Sequence, residues 1–193
     1  MYKKAIETGV KSSQSPIIIA RKLFLGYPTS AFKDKEEMGF EILNEIAHYF
    51  SIPFYDVHIV GSAKTGSSLY KRTEFTPKES DLDVAIINQN LFLKYSEYAY
   101  LRSKGYSDQT VFRGKGGISQ ANSFKNYLSR GILRPDMLPR GELKEEWFRF
   151  FNKLSTKYNK EFKDINAGIY ASQFFFESKQ AETIEKYIEE GEK

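Results

Sequence analysis

Residues 82–87 read Leu-Asp-Val-Ala-Ile-Ile, and from Val84 onward every side chain is apolar. A strand with one wet face alternates apolar and polar residues. An unbroken apolar run suits a strand covered on both faces. This segment therefore predicts a sheet buried beneath helices, and the rest of the chain has to supply them.

Periodicity supplies them. Gly39, Ile42, Leu43, Ile46, Ala47 and Phe50 fall at helical spacing and predict a helix over about 34–50. Pro53 separates it from a strand over Phe54–Val60 that stops at Gly61. Ser62 to about Tyr70 predicts a short helix, and 71–78 a polar connection. Helices are predicted over 91–104 and 121–130, with a Gly-rich loop over 105–120 between them. Leu143, Trp147, Phe150, Phe151, Leu154 and Tyr158 form a helical stripe. Asp164–Tyr170 predicts a third strand, weakened by Gly168. Phe174 to about Glu190 predicts a last helix with Phe174, Ser178, Ala181, Ile184 and Ile188 on one side. Residues 16–30, broken by Pro16, Gly26 and Pro28, look irregular. The polar residues 1–15 are expected to be a flexible arm. The fold class is α/β (α+β): a small mixed sheet with packed helices. The whole chain, 1–193, is expected to be a single domain with a helical, basic insert over 91–160.

Composition narrows the chemistry. There is no cysteine and only two histidines, His48 and His58. Disulfides, thiolate nucleophiles and Cys/His zinc sites fall away, so any metal should be hard and oxygen-ligated. No apolar run approaches the roughly 20 residues that span a bilayer, and no signal-peptide core is present. A cytoplasmic protein without a membrane partner is expected. The net charge is +4, unevenly spread. Residues 101–135 hold seven Lys/Arg against Asp108 alone, whereas 176–193 hold six Glu against three Lys. An acidic ligand near the middle of the chain and a solvated last helix are expected.

The stretch that carries chemistry is Val57-His58-Ile59-Val60-Gly61-Ser62-Ala63-Lys64, followed by Ser80-Asp81-Leu82-Asp83-Val84-Ala85-Ile86-Ile87. A strand that ends in Gly-Ser and turns into a helix offers free backbone N–H groups to a phosphate. Gly61 has no side chain to obstruct a close approach. Ser62 adds a hydroxyl, and Lys64 could bring a positive charge to a terminal phosphate. Asp81 and Asp83 are two apart on a strand and so face the same side. Two carboxylates that close repel unless a cation or a proton lies between them, and magnesium would resolve the repulsion. His58, within the first strand, reads as a core or sheet-face residue.

These motifs resemble the signature of the polymerase-beta-like nucleotidyltransferases over about residues 55–88. The resemblance implies that Gly61 and Ser62 hold the β- and γ-phosphates of an NTP. It implies that Asp81 and Asp83 bind Mg2+, and that a nucleoside monophosphate passes to a hydroxyl on a nucleotide, RNA or protein acceptor. A role in antiviral defence follows from the superfamily alone, and recognition of DNA sequence is not expected. The superfamily places a third carboxylate on a later strand. Here Asp164 and Asn166 share a face of the third strand; Asp164 would supply the acid, while Asn166 at that point would leave a neutral amide.

Two other readings stand beside this one. A transferase core with a degenerate third position would bind and sense nucleotides without turning them over. Alternatively, Tyr100, Tyr106, Phe112, Phe124 and Tyr127, interleaved with the cations of 100–135, would stack bases and neutralise phosphates in an RNA-binding module. Gly131–Asp136 reads as a tight turn that pairs Arg134 with Asp136.

Overall fold

The computed structural model describes residues 1–114 and 119–191. They form a four-stranded mixed sheet in the order β1-β2-β4-β3. β1 (Val57–Val60) runs antiparallel to β2 (Leu82–Ile87), β2 runs parallel to β4 (Ile165–Tyr170), and β3 (Ile132–Leu133) runs antiparallel to β4.

The apolar run of β2 lies at the centre because both of its faces are covered. Leu82, Val84 and Ile86 pack into one cluster with Ile42 and Ile46 of α3 (Glu36–Phe50), Leu91 and Tyr95 of α5 (Gln89–Arg102), and Trp147 and Phe151 of α7 (Glu142–Lys157). Ala85 packs on the opposite face with Ile6 of α1 (Tyr2–Lys11), Ile19 of α2 (Pro16–Arg21), and Phe176 and Ile184 of α8 (Gln173–Gly191). Leu82 and Ile86 are wholly buried, and each contributes about 1.5–3 kcal/mol of hydrophobic stabilisation. α4 (Gly61–Thr65) and α6 (Ala121–Ser129) complete the helices of the described residues.

The sequence-based element order holds through most of the chain, although β1 begins only after a tight turn at Phe54–Asp56 and α4 stops at Thr65 rather than near Tyr70. Residues 1–15 do not form an arm. Tyr2, Ala5, Ile6 and Gly9 fall on one face of α1 and are buried, and the Tyr2 hydroxyl donates to the Pro28 carbonyl. Residues 16–26 are helical rather than irregular, passing from α2 into a π-turn at Lys22–Gly26. Gly131–Asp136 is not simply a turn, because Ile132 and Leu133 add β3 to the sheet. In α8 the buried apolar side chains are Phe176, Ala181 and Ile184, while Phe174 is 67% exposed. Nor is α8 simply solvated along its acidic face: the buried Glu177 accepts from Arg21 Nε at 2.7 Å and Nη2 at 2.8 Å, tying α2 to α8.

No helix of the described residues is long and apolar enough to cross a membrane. Lys115, Gly116 and Gly117 of the predicted loop lie outside the described residues.

Candidate functional site

Where β1 ends, Gly61 adopts φ +67°, a left-handed conformation that glycine accepts without strain. The turn carries the chain straight from β1 into α4. Thr65 Oγ1 donates to the Ser67 carbonyl at 2.6 Å and lies 3.1 Å from the Gly61 carbonyl. Val60 pairs with Asp83 across the antiparallel ladder, which places the Asp83 side chain over the turn. A β-carbon at residue 61 would stand 2.6 Å from Asp83 Oδ2. The glycine turn and the second aspartate thus occupy one point in space. α4 spans only five residues, so what the turn offers an anion is its local N–H groups rather than a long helix dipole.

Asp83 lies on the β2 face opposite Leu82 and Val84, the same face as Ala85. Although the residue as a whole is exposed, partial desolvation of its carboxyl raises its pKa above the ordinary carboxylate value. The neighbouring Asp81 raises it further, and Lys71 and Arg134 oppose the shift. Oδ1 of Asp81 is buried and has no hydrogen-bond partner among the described residues. A buried, unpartnered carboxylate oxygen beside a second carboxylate that desolvation and repulsion hold toward its neutral form is a pair short of positive charge. Such oxygens fit a hard divalent cation. Among the described residues, no group of three or more His, Asp or Glu side chains gathers as a metal site. The pair would therefore share a cation with oxygens from elsewhere.

Register decides which of Asp164 and Asn166 stands level with Asp83. Asp83 pairs with Asn166 on the parallel strand β4, so the neutral amide stands level with the second aspartate. Asp164 comes one residue before the start of β4, and its carbonyl accepts the Leu82 N–H at 2.8 Å. Asp164 lines the same cleft and, like Asp83 and Asn166, is exposed.

Lys64 does not join the cleft. It is 5% exposed, and its ammonium donates to the Tyr27 carbonyl at 2.6 Å. Burial pulls its pKa down to about 8. The sequence could not reveal that direction, because it is set by the Tyr27 carbonyl, 37 residues away. His58 packs its ring 6.0 Å from that of Phe176. Its pKa is lowered first by burial and then by the charge of Lys64, so it belongs to the interior. Ser62 follows Gly61, half-buried, in the first turn of α4.

The cleft has a volume of about 640 Å³ and is lined by Gly61, Asp83, Asp164 and Asn166. Pockets of roughly 300–1,000 Å³ hold small organic ligands. Sequence reasoning missed several of its walls. Tyr70 is 69% exposed on one side; Phe148, 37% exposed, and Asn152 stand on α7 at the other. The spacing of Phe148 and Asn152, i and i+4, was a readable signal that they share a helix face. Arg134 also lines the cleft. It forks onto Asp136, with Nε at 3.1 Å and Nη2 at 2.9 Å, as the sequence suggested.

In the basic insert the aromatics divide: Tyr100 is 54% exposed and Tyr127 half-buried, whereas the phenylalanines are interior. Phe112 and Phe124 are each 1% exposed and lie against one another, with ring centroids 5.1 Å apart. Tyr106 packs on Phe124 at 6.2 Å. Arg130 is bound to Glu182, Arg134 to Asp136, and Arg102 to the Arg140 carbonyl at 3.1 Å. Phe112 and Phe124 build core, and these three cations answer to partners within the fold.

No family model matches the chain, and neither a curated protein nor a solved structure matches it. Function has to follow from the geometry of the cleft itself.

Proposed function

We propose that the chain is a magnesium-dependent nucleotidyltransferase with a polymerase-beta-like fold. It would transfer a nucleoside monophosphate from an NTP to a hydroxyl acceptor. The observation that carries this reading is the contact between Gly61 and the Asp83 carboxylate. It brings the backbone turn and a carboxylate oxygen to one place, and the charge of Asp81, whose Oδ1 has no partner among the described residues, acts on that carboxylate.

In this reading the Gly61–Ser62 turn grips the β- and γ-phosphates. Asp81 and Asp83 hold Mg2+, which when bound would neutralise phosphate charge and stabilise the leaving pyrophosphate. Tyr70 and Phe148 offer apolar walls to the nucleoside. The acceptor oxygen forms a bond to the α-phosphorus. The bond from that phosphorus to the bridging oxygen breaks, its electron pair leaves with pyrophosphate, and the hydroxyl proton passes to solvent.

The test is incubation with each α-labelled NTP and Mg2+, with and without cellular RNA and protein, reading pyrophosphate and labelled product. Release of pyrophosphate is expected, and Asp81→Ala with Asp83→Ala should abolish it while the protein stays folded. Undiminished transfer by that double variant overturns the assignment.

Asn166 favours a second reading. With an amide level with Asp83, the cleft has no carboxylate there to take the acceptor proton. The chain would then bind Mg–NTP as a sensor. That reading predicts nucleotide binding lost with the two aspartates, and no pyrophosphate from the native chain.

A further inference from the structure

β4 is paired with β2 along its whole length on one side. On the other side β3 supplies only Ile132 and Leu133, opposite Tyr170 and Ile169. The next rung would need an N–H from residue 135, and proline has none. The chain leaves the sheet there in a tight turn, Pro135–Met137. At the far end of the same edge, Ser155 Oγ accepts the Ile165 N–H at 2.8 Å. One residue remains between these two covers.

Alternation fixes which way that residue points. The carbonyls of Asp164 and Tyr170 accept from Leu82 and Asn88 on the β2 side. The N–H of Ile165 goes to the other side, as does that of Ala171, which donates to Gly131 at 2.9 Å. Ala167 therefore turns both its N–H and its C=O to the open edge. The β3–β4 ladder stops at the Leu133–Ile169 rung, no backbone group of the described residues outside the strands bonds Ala167 on that side, and Ala167 lines the cleft beside Asn166. The result is a slot that presents one backbone donor and one backbone acceptor.

Its position and charge say what it fits. The Gly61 turn lies on the β1 side of Asp83 and the slot on the β4 side. In-line displacement brings the attacking oxygen in opposite the leaving group. With pyrophosphate at Gly61, the acceptor enters past β4. The one Lys or Arg among the described residues lining the cleft is Arg134, whose charge is taken up by Asp136, and Asp164 adds negative charge. A nucleic-acid acceptor needs free cations for its phosphates. An extended polypeptide needs backbone partners at a sheet edge.

We propose that the Ala167 slot docks an extended polypeptide segment of neutral or basic composition, and that a Ser, Thr or Tyr hydroxyl of this segment is the acceptor. The chemistry rests on the transferase reading; the docking does not. Phe148 and Asn152, which line the same cleft, would receive a side chain of the segment.

The test separates the two. Fluorescein-labelled peptides of about ten residues, each with one Ser, Thr or Tyr among Lys and apolar residues, are titrated with the whole protein without nucleotide. A single-stranded oligoribonucleotide is titrated in parallel. The peptides should bind and the oligoribonucleotide should not. Ala167→Pro removes only the outward N–H, leaves the β2 ladder intact, and should weaken peptide binding at least about tenfold, the effect of one or two lost hydrogen bonds. Ala167→Gly should not. Pro135→Ala restores an N–H that can close the slot from β3, and should also weaken binding; thermal unfolding checks that each variant folds. With Mg2+ and labelled NTP added, label should appear on the peptide. Failure of the native protein to bind peptide, equal binding by the native, Ala167→Pro and Pro135→Ala proteins, or label on the oligoribonucleotide alone overturns the proposal. Peptide bound through the slot, with nucleotide binding indifferent to Asp81→Ala/Asp83→Ala, upholds the docking and overturns the acceptor role together with the transferase reading.

Discussion

Asp83 and Asn166 stand at the same register position on neighbouring parallel strands. The cleft therefore presents a carboxylate and an amide side by side where two carboxylates would bind a cation more strongly. Asn166→Asp adds the missing charge. Mg2+ affinity should rise by about tenfold, because site charge governs affinity for hard cations. In chelator the variant should melt below the native protein, since Asp81, Asp83 and residue 166 would then repel. Thermal shift across a Mg2+ titration reads both effects, and an unchanged midpoint with and without the ion contradicts the register argument.

Gly61 should tolerate no side chain. Gly61→Ala forces a β-carbon into φ +67° and against Asp83 Oδ2. The expected loss is about 1–3 kcal/mol in urea unfolding, together with loss of Mg–nucleotide binding. Native affinity in that variant would place the phosphate elsewhere.

Asp83→Asn should reverse its sign with metal. Desolvation and Asp81 raise the Asp83 pKa above its ordinary 3.8, so the folded chain keeps a proton that the unfolded chain has released. Stability falls as pH climbs from the ordinary value through the raised one. Above that window, in chelator, the asparagine variant should be the more stable. Mg2+ should stabilise the native protein alone, by about 2.7 kcal/mol at a hundredfold excess over Kd. Equal stabilisation of both proteins counts against Asp83 as a ligand.

Lys64→Met should flatten an alkaline slope without touching the cleft. Burial holds the Lys64 ammonium near 8, against 10.5 in the unfolded chain. Between those values the unfolded chain binds more protons, so native stability rises with pH. Urea unfolding at about pH 7.5 and about pH 9.5 should show a rise on the order of 2 kcal/mol from this group in the native protein and none from it in the variant. Mg–nucleotide binding should be unchanged; its loss would return Lys64 to the phosphate site.

The sheet was legible because its central strand declares itself locally: Val84 to Ile87 form an apolar run covered on both faces. Gly61 was legible as a residue that closes an apolar run. What escaped depended on contacts distant in the chain. β3 is two residues long, too short for any period to show. The helical face of Tyr2, Ala5, Ile6 and Gly9 was hidden by intervening lysines and glutamate. Arg130 finds Glu182, 52 residues away, and that partnership consumes a charge that composition alone assigned to a ligand. The choice between Asp164 and Asn166 needed the register of β2 on β4, which no single segment encodes.

The contact between residues 61 and 83 also orders the ways in which this chain can drift. While the carboxylate at 83 remains, any β-carbon at 61 collides with it. A lineage abandoning the acid could then explore small side chains at the turn, limited only by its left-handed backbone. Among descendants, a substituted turn should be found where the aspartate has already gone, and seldom the reverse.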